Sequence, residues 1–213
     1  MSSQYDQLLN TLNGFAEKAS KKTLTLGQAL DSLHHAAYAL ISLIIVLPFI
    51  QPIPLGPLTI LGGVTFMTLG WQLWRGNHAP VLPAKIRAVE MSEKTWRILA
   101  KVSVTVVKVC QKITKPRLSV LVDGIRGEKI GAAILMLAGL LMALPFAVLP
   151  GSNMLPGLAI LFYCIAQFED DGLMIIIAMI WLVITVIYMG LFIYASWHFI
   201  TEASHYFVNW LGL

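Results

Sequence analysis

Three stretches without a single Asp, Glu, Lys or Arg dominate this 213-residue chain: Ser32–Trp74, Ile130–Phe168 and Gly172–Thr201, which are 43, 39 and 30 residues long. A bilayer crossing needs about 20 predominantly apolar residues. The first two stretches are therefore long enough for a pair of short crossings each, and the third for one. Composition agrees, with 57% hydrophobic and 12% charged residues, where a soluble domain carries about 25% charged. So little charge cannot cover a water-facing surface, which excludes an ordinary soluble enzyme. Disorder needs low hydrophobicity, and two cysteines make no disulfide scaffold. The expected fold is all-α, a polytopic integral membrane protein.

Helix punctuation divides the first two stretches. Pro48, Pro52, Pro54 and Pro57 fall within ten residues, and Pro145, Pro150, Gly151, Pro156 and Gly157 repeat the effect. Proline removes a backbone donor and clashes with the preceding turn, so neither stretch can be one helix. The spacing predicts helices over 30–48, 57–75, 129–147, 155–169 and 173–196. Two crossings and a turn barely fit in 39 residues. Re-entrant hairpins, with irregular backbone shielded from lipid, are the rival to full crossings.

Basic residues set the orientation. Of 15 Lys and Arg, three (Lys18, Lys21, Lys22) lie near the N-terminus and the other twelve between Arg75 and Lys129. Cytoplasmic loops carry such an excess, so the N-terminus and the Arg75–Lys129 segment are expected on the cytoplasmic side of a membrane crossed several times, and the C-terminus outside. Residues 1–30 lack an apolar h-region, so no cleaved signal peptide is expected. The resulting divisions are a cytoplasmic segment (1–29), a first membrane hairpin (30–75), a basic cytoplasmic or interfacial segment (76–128), a second hairpin (129–171), a last transmembrane helix (172–196) and an aromatic interfacial tail (197–213).

The two hairpins look duplicated. Leu47-Pro48-Phe49 recurs as Leu144-Pro145-Phe146, and each copy precedes a Pro/Gly reversal. A second helix containing Gln72 or Gln167 follows, ending in a polar step to Gly76 or Gly172. Transporters are often built from such repeats, although repeats also occur in proteins that only pack against partners.

These same segments resemble a known family. The Leu47-Pro-Phe run with its prolines, Gln72-Leu-Trp-Arg75-Gly76 and Pro80-Val-Leu-Pro83 are similar to the ExoD family of exopolysaccharide-synthesis membrane proteins. Ala143-Leu-Pro145, Asn153-Met-Leu-Pro156-Gly-Leu-Ala159-Ile and Glu169-Asp-Asp171-Gly172 resemble its second hairpin and acidic ending. The resemblance covers roughly residues 25–195 and departs at Val81, where the family pattern has Trp. It implies a role in making or exporting bacterial exopolysaccharide.

The candidate sites each carry two readings. At 100° per residue, Lys94, Arg97, Lys101, Lys108, Lys112 and Lys115 fall within about 60° of arc, opposite Trp96, Leu99, Val106, Cys110 and Ile113. That pattern describes a helix lying on an anionic membrane surface, or a solvated helix packed on the bundle; positive-inside charge already explains it without nucleic acid. Glu169, Asp170 and Asp171 are candidates for a cation, proton or sugar-hydroxyl site, Asp171 foremost because it matches the motif of the family resembled, or simply complement the N-terminus of the next helix. Arg75 and Arg126 flank the hairpins. Arginine's planar fork suits a lipid-linked phosphate, while ordinary anchoring needs only its charge. Gln51 and Asn153 sit in the reversals, where an amide meets a sugar hydroxyl or satisfies freed backbone groups. Cys110 and Cys164 are expected to be separate reduced thiols.

His34 and His35 have no partner at metal-ligand spacing; His198 and His205, seven apart, can share a helix face, but the tail with Tyr206 and Trp210 reads first as an aromatic interface belt. With no phosphate loop, nucleophile elbow or Cys/His grouping, no enzyme, metal or cofactor is expected. The sequence leaves three roles: transport or flipping of a polyprenyl phosphate or lipid-linked sugar, a non-catalytic accessory subunit of a polysaccharide synthase or exporter, and cation or pH homeostasis. The absence of mid-membrane charge weighs toward the second, because transport paths usually carry one.

Overall fold

The structure is a computed structural model describing residues 36–51, 55–88, 117–144 and 149–211, with 14, 24–25, 27–28, 90–91 and 94. Among the described residues five long helices carry it: α1 (Ala36–Val46), α2 (Pro57–Trp74), α3 (Gly124–Ala143), α4 (Met154–Glu169) and α5 (Gly172–Leu211). A one-turn helix spans Ala84–Arg87, and the pair Leu24–Thr25 (β1) and Glu90–Met91 (β2) runs antiparallel. The all-helical expectation holds apart from that two-residue pair.

The punctuation works as the prolines dictate. After α1 the chain tightens into a 3-10 turn, Leu47–Ile50, with Pro48 in its first positions, and leaves through Gln51 in extended backbone. Gly56 (φ 55°) then makes a left-handed step that an L side chain rarely adopts, and Pro57 opens α2. Val46 and Ala143 end their helices and Pro57 and Met154 begin theirs; 46 to 143 and 57 to 154 are both steps of 97.

The helices do not pack hairpin by hairpin. The strongest pairing joins α2 to α3, and α1 packs mainly on α4. Small residues allow the first contact. A Cβ on Gly63 would lie 2.5 Å from the Gly139 carbonyl oxygen, and one on Gly70 would lie 2.7 Å from that of Ala132. Rising numbers on α2 meet falling numbers on α3, so the pair is antiparallel, drawn together by backbone approach as in membrane helices. In the second contact, Gly157 of α4 sits by Val46 and Ile50. Both proline breaks thus share one end of the bundle. The core between them holds Phe49 edge-on to Phe66, with centroids 6.4 Å apart, and the buried Tyr38, Leu135, Ile160 and Tyr163.

Helix α3 begins at Gly124, earlier than the predicted 129, because its first turns hold Arg126 and Lys129 exposed and Glu128 half-buried. Helix α5 continues past residue 196 to Leu211. Its section Gly172–Glu202 is the one helix among the described residues long and apolar enough to cross a membrane. At about 1.5 Å per residue it reaches about 46 Å, against about 30 Å of hydrocarbon. Ala36–Ile50 and α4 are apolar but shorter. The described side chains of α5 beyond Met189 are exposed or half-buried, among them Leu191, Ile193, Tyr194, Trp197, Phe199 and Ile200. So long an uncovered apolar helix associates the chain with a membrane.

Candidate functional site

The end of the bundle opposite the proline breaks collects charge. Because α2 and α3 are antiparallel, the last turn of one meets the first turns of the other. The Arg75 guanidinium lies 5.4 Å from the centroid of the Trp71 ring on its own helix. Lys129 of α3 reaches across to the Trp74 ring, 5.1 Å away. Arg126 stands one turn before Lys129 and is exposed. Each cation over an indole face gains a further electrostatic attraction, and both rings are about half exposed. Tryptophan with Arg and Lys at one level is the composition of a membrane–water interface. Arg75 and Arg126, far apart in sequence, therefore share one end of one helix pair. Chemically the group offers fixed positive charge and apolar ring surface to a phosphate on a lipid.

The acidic triplet is at the same end, and its three members differ. Helix α4 stops where Asp170 adopts the left-handed conformation (φ 51°), which short polar side chains tolerate. Asp171 is fully buried. Its Oδ1 accepts the Leu173 N–H at 3.0 Å, its carbonyl accepts that of Met174 at 3.0 Å, and Arg117 Nε lies 3.5 Å from Oδ1. It thus caps α5, with its charge at the positive end of the helix. Arg117 also accepts the Gly172 N–H on its carbonyl at 2.8 Å. Leu118 passes so near that any side chain at Gly172 would overlap its carbonyl.

Asp170 is half-buried, and its Oδ1 has no hydrogen-bond partner among the described residues. Burial, with the charge of Asp123 adding to it, pushes its carboxyl up to about 6. Asp123 is exposed at the N-cap of α3. Glu169, half-buried, ends α4.

Gln51 and Asn153 lie at the other end, in the breaks. Gln51 is exposed, and Asn153 is half-buried ahead of α4, its carbonyl accepting the Gly157 N–H at 3.0 Å. The structure brings them together with neither the arginines nor the acids. Lys94 is helical and exposed; Arg97, Lys101, Lys108, Lys112, Lys115 and Cys110 lie outside the described residues. Cys164 is buried and not in a disulfide.

Sequence reasoning missed two participants. Arg117, last of the dense basic run, pairs with Asp171 across 54 positions, which no local pattern reveals. Gln72 marks the repeat in the sequence, and its side chain also grips the backbone of Val81: it donates to the Val81 carbonyl at 3.1 Å and accepts the Val81 N–H at 2.6 Å. The backbone makes this contact and the Val81 side chain is exposed, so the clasp does not depend on which side chain stands there.

The family described as "Exopolysaccharide synthesis, ExoD" matches residues 8–191. Protein ExoD of Rhizobium meliloti (strain 1021) is 28% identical over 203 residues, covering 95% of this chain and 84% of that protein. No solved structure matches.

Proposed function

The chain belongs to the ExoD family, and on that premise we propose that it acts in bacterial exopolysaccharide synthesis as a multi-pass inner-membrane protein that moves a polyprenyl phosphate or lipid-linked sugar between leaflets. The observation carrying this reading is the shared end of α2 and α3, where Arg75 and Lys129 stand over Trp71 and Trp74 with Arg126 one turn away. A lipid phosphate needs a fixed cation at headgroup depth, and an apolar tail needs ring surface beside it. In the proposal this end faces the cytoplasm, as does the N-terminus, and membrane lipid is the first partner. The equal steps of 97 between helix breaks support a duplicated hairpin, with the shorter helices in re-entrant or tightly packed pairs. Asp170, its carboxyl raised to about 6, is the acid suited to follow a proton or cation gradient. Asp171 is engaged in holding the corner. No bond-making step is part of this proposal.

A second reading has its own support. The uncovered apolar length of α5 suits contact with a larger membrane assembly, such as a polysaccharide synthase or exporter, in which this chain is a non-catalytic accessory subunit. The test is exopolysaccharide output from cells carrying Arg75→Ala, Arg126→Ala or both, at matched protein level. The transport reading expects output to collapse in the double variant; unchanged output contradicts it.

A further inference from the structure

Hydroxyl groups on α2 and α5 are satisfied locally. Thr65 donates to the Leu61 carbonyl at 2.8 Å, Thr68 to that of Val64, and Thr185 to that of Trp181 at 2.7 Å. This back-bonding to the carbonyl four residues earlier is the usual solution in an apolar helix. Tyr188, which cannot reach its own backbone, donates to the Pro150 carbonyl at 2.7 Å.

Helix α1 behaves otherwise. Ser42 has the same recourse, the Tyr38 carbonyl, and does not use it. Its Oγ and the Tyr38 hydroxyl are both buried with no hydrogen-bond partner among the described residues, and both residues are 0% exposed. They stand one turn apart and so share a helix face. A buried hydroxyl left without a partner is costly. Two on one face, one of them passing over an available acceptor, point to an occupant.

The surroundings indicate its kind. Helix α1 packs on α4, whose buried Tyr163 lays its ring where a side chain on Gly131 of α3 would stand. Tyr163 lies within electrostatic reach of Tyr38 and of Glu128, in the second turn of α3. Glu128, Tyr163 and Tyr38 thus lie in the half of the bundle toward the charged end, with Ser42 one turn further in along α1. With every lining hydroxyl residue buried, the occupant must be small. It must both donate and accept, since each hydroxyl can do either.

We propose that Tyr38 and Ser42 bind water inside the apolar bundle, and that with Tyr163 and Glu128 they form a hydrated polar track running inward from the charged end. The proposal does not depend on what the protein transports. Water held by two to four polar partners is a stable part of a structure.

X-ray radiolysis footprinting of the full chain in nanodiscs tests it, because bound water is split in place and oxidises the side chain beside it. Tyr38 is expected to be oxidised under X-rays but not by radicals generated chemically in bulk solvent. In Ser42→Ala its X-ray rate should fall about threefold, as the water loses one of its partners. Phe66, an equally buried ring, should stay unlabelled by both. Labelling of Tyr38 no faster than that of Phe66 overturns the site. A second measurement uses the near-isosteric Tyr38→Phe. Loss of a water-bound hydroxyl lowers Tm, whereas removal of a truly unsatisfied one raises it, and a raised Tm overturns the proposal.

Discussion

The two ends of the bundle are built on opposite principles. At the break end, shape is set by backbone restriction: Pro48, Gly56, Pro57 and Pro150 turn the chain, and polar side chains such as Gln51 are spectators to the turn. At the charged end, shape is set by side chains meeting across long sequence distances, Arg117 with Asp171 and Lys129 with Trp74. The difference teaches where single substitutions act. Removing a polar side chain such as that of Gln51 leaves the turn intact, while removing Arg117 takes a cation from a buried carboxylate.

The largest effect is expected at Arg117. Arg117→Ala removes a cation from beside the fully buried Asp171. Loss of one partner of a buried pair is strongly destabilising; since the Arg117 side chain is 45% exposed, the cost is discounted to about 2–3 kcal/mol. Asp171→Ala should cost less, about 1–2 kcal/mol, because the capping bond is lost while Arg117 can turn to solvent. Denaturation midpoints in detergent rank the two, and the reverse ranking would break the account of this corner.

Asp170 gives a pH test. Its folded carboxyl titrates near 6, above its ordinary 3.8, so between those values the folded state binds more protons than the unfolded one. Stability from this group is therefore lost as pH rises from about 4 to about 6. Asp170→Asn should flatten Tm against pH across that window, and Asp123→Asn should narrow it, since Asp123 adds to the shift. A slope unchanged in Asp170→Asn would contradict the assignment. The smallest effects belong to the break end: Gln51→Ala and Asn153→Ala are expected within about 0.5 kcal/mol of the parent in the same melts.

This contrast also explains what could be read from the sequence. Backbone restriction is local, so the prolines located both breaks, and the observed starts of α2 and α4 at Pro57 and Met154 fall within a residue of expectation. Helix α3 starts five residues before the charge-free stretch predicts, because its first turns hold Arg126 and Lys129 exposed and Glu128 half-buried. The Gly63–Gly139 seam was not legible at all, since glycines 76 positions apart carry no periodic signal until two helices meet. The acidic triplet was legible as a cluster but not as three different environments. Only the fold decides that Asp171 faces Arg117 while Asp170 lies half-buried near Asp123.

The most direct test of the account is transbilayer movement of a fluorescent polyprenyl phosphate in proteoliposomes. The parent chain and Gln51→Ala/Asn153→Ala are predicted to accelerate it equally, and Arg75→Ala/Arg126→Ala to abolish the acceleration with Tm unchanged. Equal acceleration by all three, or none by the parent, would contradict the assignment of lipid phosphate to the charged end.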